Sequence, residues 1–167
     1  MVSRKKSLIS TPLLLLGVSR SGTTLFQRIL NSYENVIIWG EHDGFLSDIA
    51  ESYFKVTNSE SMEEFSYSQS KGGSASLSDY KNPKKWQAWN NWFEKKDIKN
   101  IYKEFLFKTF TSDWGKDISY WGFKEIRYGE RDRVTEFFLD TFPETKVVII
   151  FRNPLNVIES QLSSFEN

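Results

Sequence analysis

A glycine-spaced loop between residues 17 and 24 is the first segment whose residue types could do chemistry. Gly17 and Gly22 are separated by four residues that include Arg20, and Thr23 and Thr24 follow at the start of a predicted helix. Glycines permit a tight turn and let backbone N–H groups approach an anion closely, and the start of a helix adds the positive end of its dipole. The pattern therefore predicts an anion-binding loop, although a turn that only caps a helix would look similar.

The spacing of the two glycines matches that of the P-loop of nucleoside triphosphatases, but one residue departs from it. Thr23 stands where the P-loop has a lysine, and the positive charge comes instead from Arg20 within the loop. Because that lysine reaches the β- and γ-phosphates of a nucleoside triphosphate, its absence weakens the prediction of an ATPase or GTPase. The charge of Arg20 still favours an anionic ligand.

A second pair of candidate anion ligands lies near the other end of the chain. Arg152 follows the apolar run Val147–Val148–Ile149–Ile150, and Ser160 comes eight residues later in a helix predicted to begin near Pro154. An arginine offers a planar, permanently charged set of donors that suits a phosphate dianion. Alone, each would be unremarkable, as a strand-end ion pair and a helix serine. Both candidate anion-binding motifs, the glycine-spaced loop and Arg152 with Ser160, however, begin where an apolar run ends.

The elements that must position these residues are short apolar runs that alternate with helical patterns. The apolar runs cover residues 12–18, 36–39, 120–123 and 147–151. The helical stripes are Leu25, Ile29 and Leu30; Phe45, Ile49 and Tyr53; Ile101, Phe105, Leu106 and Thr109; and Val134, Phe137, Phe138 and Phe142. Continuous apolar runs are typical of strands that helices cover on both faces. We therefore predict an α/β, P-loop-like three-layer fold with a mainly parallel sheet, which binds ligands at the carboxyl ends of its strands.

Composition excludes several classes of protein. The chain has 167 residues, which favours one domain, and its 22 basic and 22 acidic residues balance, unlike those of a strongly basic nucleic-acid-binding protein. There is no cysteine and only one histidine, which excludes disulfides, cysteine-ligated zinc and a histidine-rich metal site. The apolar core Leu13–Leu14–Leu15–Leu16 is too short to span a bilayer and is interrupted upstream by Pro12. We therefore expect a soluble, cytoplasmic protein.

The middle of the chain differs in composition from both ends. Eight serines lie between Ser59 and Ser78, and we interpret residues 57–80 as a flexible loop within the domain. Residues 71–108 carry nine bases and four acids, which indicates a solvated helical face or a wall that attracts an anionic ligand. The aromatic stretch at residues 86–93 is interpreted as core packing.

With these elements in place, Arg20–Leu25 after an apolar strand resembles the 5'-phosphosulfate-binding loop of sulfotransferases that use 3'-phosphoadenosine-5'-phosphosulfate (PAPS). The arginine, the apolar helix and the step Gly40–Glu41 are most similar to the protein-tyrosine sulfotransferase branch and its bacterial relatives. Arg152 and Ser160 resemble the 3'-phosphate motif of the family. The resemblance implies PAPS as the sulfuryl donor and no metal. The residues it implies for the 5'-phosphosulfate are Arg20, Ser21, Gly22, Thr23 and Thr24.

The resemblance also implies three catalytic residues. Glu41 corresponds to the acidic general base of the tyrosine-directed enzymes, although an acid that caps a helix would also suit its position. His42 next to it could take the proton instead, or be structural. Lys124 resembles the lysine that stabilises charge on the leaving side, and its alternative is a surface lysine paired with Glu125 or Glu130. Arg20 would offset charge on the transferred group.

The sequence thus predicts a sulfotransferase that moves a sulfuryl group to an acceptor hydroxyl by in-line transfer. The acceptor classes left open are protein tyrosine, carbohydrate, lipid and small metabolite. Two alternatives are a P-loop kinase or nucleoside triphosphatase and a non-catalytic nucleotide-binding remnant. Family members usually continue well beyond the 3'-phosphate motif, so we expect a chain that is truncated at its C-terminus, the alternative being a minimal version of the family.

Overall fold

The regular elements of the chain follow the apolar runs and helical stripes closely. The computed structural model describes residues 10–60, 81, 95–112 and 118–165. The elements are β1 (Thr11–Gly17), α1 (Thr23–Leu30), β2 (Val36–Trp39), α2 (Leu46–Thr57), α3 (Lys95–Thr111), β3 (Tyr120–Glu125), a 3-10 turn (Glu130–Asp132), α4 (Val134–Thr141), β4 (Lys146–Ile150) and α5 (Pro154–Phe165). Each predicted run forms a strand, and each stripe lies on a helix or its cap, which confirms the α/β fold.

The four strands form one sheet in the order β2-β3-β1-β4, and every neighbouring pair is parallel. Leu15 in β1 lies between Lys124 of β3 and Val148 of β4. The chain leaves β1 towards β2 on one side and later crosses from β3 to β4 on the other. Ligands of open α/β sheets bind outside the carboxyl ends of the strands where the order reverses in this way.

The central strand β1 is buried on both faces of the sheet, by two clusters of unequal size. Leu14 and Leu16 of β1 pack with Trp121 and Phe123 of β3 against α2, α3 and α4, in a core rich in phenylalanine. The other face holds a smaller cluster around Leu15, beneath α1. Side chains alternate between faces along a strand, so burial on both sides explains why the run in β1 is continuously apolar.

Two sequence interpretations fall wholly or largely outside the described residues. Thr57 ends α2, and residues 61–80 of the predicted serine-rich loop lie outside the described part of the chain, as does the aromatic stretch 86–93. Among the helices that the structure describes, none is long and apolar enough to cross a membrane.

Candidate active site

The loop between β1 and α1 has the backbone geometry of an anion-binding turn. Gly22 has a left-handed φ of 99°, and Arg20 is also left-handed with φ 65°. A non-glycine residue in this region is uncommon and is often found at functional sites. Helix α1 begins at Thr23 with no acidic residue in its first turn. Its free N–H groups and dipole therefore face the space above the loop without a nearby carboxylate from the helix itself.

Gly17 and Ser21 form the floor of this loop. A Cβ atom at Gly17 would lie 2.9 Å from the backbone oxygen of Ile150, so a side chain there would push β1 away from β4. The hydroxyl of Ser21 is buried beneath the loop and has no hydrogen-bond partner among the described residues. The Ser21 amide donates to Val18 O at 3.2 Å and so closes the turn.

A cavity of about 370 Å³ opens above the loop, at the carboxyl edge of the sheet. Its walls come from the ends of all four strands and from α1 and α5. The lining residues are Ser19, Arg20, Gly22, Thr23, Thr24, Glu41, Lys124, Ile126, Arg152 and Ser160. Every residue that the resemblance implies for binding or catalysis is in this set except Ser21, which lies below it, and the alternative base His42 is also outside the set.

The two anion motifs are in direct contact across the cavity. Arg20 Nε donates to Ser160 Oγ at 3.0 Å, and Arg152 Nη1 donates to the backbone oxygen of Arg20 at 3.0 Å. Both bonds join residues more than 130 positions apart in the sequence. The resemblance implies Arg20 for the 5'-phosphosulfate and Arg152 and Ser160 for the 3'-phosphate, and the structure joins these three residues in a single cationic cluster.

Glu41 enters the cavity from the end of β2 and is held by two cations. Lys124 Nζ donates to Glu41 Oε1, and Arg127 Nη1 donates to Glu41 Oε2 at 3.3 Å. The Lys124 side chain is 6% exposed, which leaves Glu41 as its close anionic partner. The predicted general base and the predicted charge-stabilising lysine therefore form an ion pair, and the surface pairing of Lys124 with Glu125 or Glu130 is not seen.

His42 lies on the opposite side of the turn from Glu41, outside the cavity. Its ring packs edge-on against Phe45 and Phe123, and its Nε2 lies 2.5 Å from the hydroxyl of Tyr128. The same hydroxyl accepts a bond from Leu46 N. The other ring nitrogen, Nδ1, is buried 3.9 Å from Glu125 Oε2 and has no hydrogen-bond partner among the described residues. Burial lowers the pKa of His42, so the ring is a neutral structural group at pH 7.

Arg127 and Glu125 also belong to this region, although no sequence pattern singled out either of them as a site residue. Arg127 Nη1 contacts the carboxylates of both Glu41 and Glu125. The available signal was the group of charged residues at the end of β3 and just after it, at positions 124, 125 and 127. Within the residues that the structure describes, no group of three or more potential ligands is placed to hold a metal ion.

Comparison with known proteins identifies the family of the chain. A protein-family model described as the sulfotransferase family matches residues 12–167, which include the loop, Glu41, Lys124, Arg152 and Ser160. A search of curated proteins finds no match. Because the family match covers nearly the whole chain, the protein belongs to the sulfotransferase family.

Proposed function

We propose that this protein transfers the sulfuryl group of PAPS to the hydroxyl of an acceptor. The observation that carries the proposal is the cavity itself, which brings the cationic cluster of Arg20 and Arg152 within one space with the pair Glu41–Lys124. Sulfuryl transfer needs donors for a phosphosulfate, positive charge near the reacting oxygens and a base for the attacking hydroxyl. The lining residues include all three kinds of group.

The proposed donor carries two anionic groups, and the single cationic cluster with the adjoining loop would bind both. Arg20, Gly22, Thr23 and Thr24 would hold the 5'-phosphosulfate, with the free N–H groups of α1. Arg152 and Ser160 would hold the 3'-phosphate; Ser160 Oγ accepts from Arg20, so its own hydrogen is left to donate. The role of Ser21 stays a prediction from the motif, since its hydroxyl lies beneath the loop.

The catalytic assignments follow from what each side chain can do in place. PAPS, when bound, supplies a sulfuryl group on a phosphate–sulfate anhydride. Glu41 would take the acceptor proton on Oε2, because Lys124 occupies Oε1 and the contact of Oε2 with Arg127 is longer. Lys124 and Arg20 would face the charge that develops on the transferred and bridging oxygens. His42, outside the cavity and neutral, would support the turn.

The proposed acceptor is a hydroxyl-bearing molecule, and its class remains to be chosen among tyrosine, carbohydrate, lipid and small metabolite. A screen with radiolabelled PAPS and one representative of each class would identify it. The label moves to the productive acceptor alone.

Binding and transfer assays on three proteins test the function. The wild-type chain should bind adenosine 3',5'-bisphosphate in calorimetry without magnesium and should transfer label from PAPS. Arg20→Ala should weaken bisphosphate binding roughly 10–100-fold, since a charge-assisted contact is lost. Glu41→Ala should keep binding and lose transfer. Arg28→Ala is the matched control for Arg20 and should behave as wild type, because Arg28 is an exposed arginine in the last turn of α1, the helix that follows the loop.

Two results would contradict the proposal. Preference for ATP with magnesium, without bisphosphate binding, would favour a kinase or nucleoside triphosphatase. Bisphosphate binding without transfer to any acceptor class would favour a non-catalytic binding protein.

A further inference from the structure

Glu125 is a charged residue that the proposed reaction does not use, and it is almost completely buried. It is the last residue of β3 and is 1% exposed. Because side chains alternate along a strand, Glu125 faces the α2–α3–α4 core while its neighbour Lys124 faces the cavity. A buried carboxylate is costly unless its charge is paired and its oxygens accept hydrogen bonds. The groups that pair with Glu125 are therefore also fixed by it.

Three donors reach the Glu125 carboxylate. Oε1 accepts from Ile126 N and from Arg127 Nη1, both at 2.9 Å, and Oε2 accepts from His42 N at 3.3 Å. Burial alone would raise the pKa of Glu125, but these hydrogen bonds and the charge of Arg127 outweigh it and lower the pKa. Glu125 is thus a buried, ionised acceptor at neutral pH.

Two of these three donors belong to the immediate surroundings of Glu41. The His42 amide is the first backbone donor after Glu41, so Glu125 ties down the turn that carries the Glu41 side chain. The Arg127 guanidinium that binds Glu125 also reaches Glu41 Oε2 at 3.3 Å. Glu41 is consequently fixed from one side by Lys124 and from the other by a guanidinium whose place Glu125 sets.

We propose that Glu125 is a positioning residue that orients the Glu41 carboxylate through the His42 amide and the Arg127 guanidinium. The proposal rests on the proposed role of Glu41 as the general base that takes the proton from the hydroxyl of the sulfuryl acceptor. Glu125 does not line the cavity and touches no reacting atom. The charged groups that surround Glu41 are Lys124 and Arg127 beside it, Arg20 and Arg152 in the walls of the same cavity, and Asp43 and Glu125 behind Arg127.

The charges give two variants with opposite expected effects. Glu125→Gln keeps the shape but removes a negative charge, so the full charge of Arg127 acts on Glu41 and makes it a weaker base. Arg127→Gln removes the positive charge and makes Glu41 a stronger base. We expect kcat to fall roughly 10–100-fold in both variants, because misplacing a catalytic group by about 1 Å can cost that much. Bisphosphate affinity should stay within about twofold of wild type.

The sign of the pH shift separates positioning from a general structural defect. The acid limb of kcat, and the titration midpoint of the Glu41 carboxyl carbon in ¹³C NMR, should move to lower pH in Glu125→Gln and to higher pH in Arg127→Gln. Glu136→Gln is the control, because the Glu136 carboxylate is likewise bound by an arginine, through two bonds from Arg133, but lies away from Glu41. It should leave kcat and both pH readouts unchanged.

The proposal is overturned if both variants keep the wild-type kcat and midpoint, or if both midpoints move in the same direction. If Glu125→Gln does not fold, Arg127→Gln decides alone, since the Arg127 side chain is 46% exposed and the Glu125 carboxylate keeps its bonds from Ile126 N and His42 N. A wild-type chain that transfers no sulfuryl group contradicts the proposed function instead. In that case, the NMR midpoints still report whether Glu125 orients Glu41.

Discussion

The two sides of the cavity are built differently. On the β2–β3 side, Glu41 and Lys124 rest on a buried set that includes Glu125, 1% exposed, and Tyr128, whose hydroxyl joins α2 to the His42 ring. On the β1–β4 side, Arg152 is exposed, and the residue before it, Phe151, is 84% exposed. The first side is anchored in the core, and the second is a set of charged side chains near solvent.

The two sides therefore suit different tasks. The buried β2–β3 side holds catalytic groups in fixed positions, and the exposed β1–β4 side attracts the anionic ligand. Groups that act on a proton need a fixed place, and packing with internal hydrogen bonds provides it. Groups that attract a phosphate act over longer distances and tolerate some motion, although salt screens them when they are exposed. We therefore expect substitutions on the β2–β3 side to lower kcat and those on the β1–β4 side to weaken binding in a salt-dependent way.

The largest expected effect comes from Lys124. In Lys124→Met, the cavity loses the cation that pairs with Glu41 and would face the developing charge. Removing a preorganised electrostatic group of this kind costs about 10²–10³-fold in kcat. Rates with radiolabelled PAPS, together with calorimetry of bisphosphate binding, should show lost turnover with retained binding.

Lys146→Met is the control for this substitution. Lys146 is exposed and begins β4, so it lies at the opposite edge of the sheet from the cavity. It should leave turnover unchanged. If Lys124→Met weakened bisphosphate binding and kept kcat, the two sides of the cavity would not differ in the way proposed here.

The lining of the cavity was largely predictable because it depends on local patterns. The glycine spacing marks the loop, and Arg152 directly follows an apolar run that could hardly be anything but a strand. The parallel arrangement then brings strand ends together at one edge. Only Ser21 is displaced from the predicted set, since its hydroxyl turns beneath the loop.

The buried contacts that hold Glu41 in place were not predictable, because they depend on the order of the strands in the sheet. Glu125 binds His42 N because β2 lies beside β3, a neighbour that is distant in the chain. Likewise, Glu41 and His42 are adjacent in sequence yet lie on opposite sides of their turn, and a one-residue change in register would exchange them. Periodicity fixes neither the pairing of distant strands nor the direction of a turn after a strand.

The next effect in size is expected at Arg152. Arg152→Ala should weaken bisphosphate binding roughly 10–100-fold, because a forked, charged donor is lost, and should reduce the salt dependence of the remaining affinity. Arg152→Lys keeps the charge without the fork and should fall between alanine and wild type. Calorimetry at two salt concentrations measures both effects. Equal salt dependence in wild type and Arg152→Ala would argue that Arg152 does not touch the anion.

The smallest expected effect concerns His42 and the stability of the buried side. Burial lowers the pKa of His42 in the folded chain, whereas an unfolded histidine titrates near about 6.5. Between these two values the unfolded chain binds a proton that the folded chain does not. The contribution of His42 to stability is therefore complete above about pH 6.5 and is lost progressively as the pH falls towards the folded pKa.

Chemical unfolding between pH 7.5 and 5.5 tests this effect, since the buried carboxylate Glu125 has a lowered pKa and titrates below this window. The slope of the unfolding free energy with pH should be positive, cannot exceed one proton or about 1.4 kcal/mol per pH unit, and should flatten in His42→Gln. Because the chain has a single histidine, its imidazole resonances need no assignment and should titrate below 6.5. A midpoint at or above 6.5 would place His42 in contact with solvent or with the cavity anions. The β2–β3 side would then lose the buried ring that distinguishes it from the β1–β4 side.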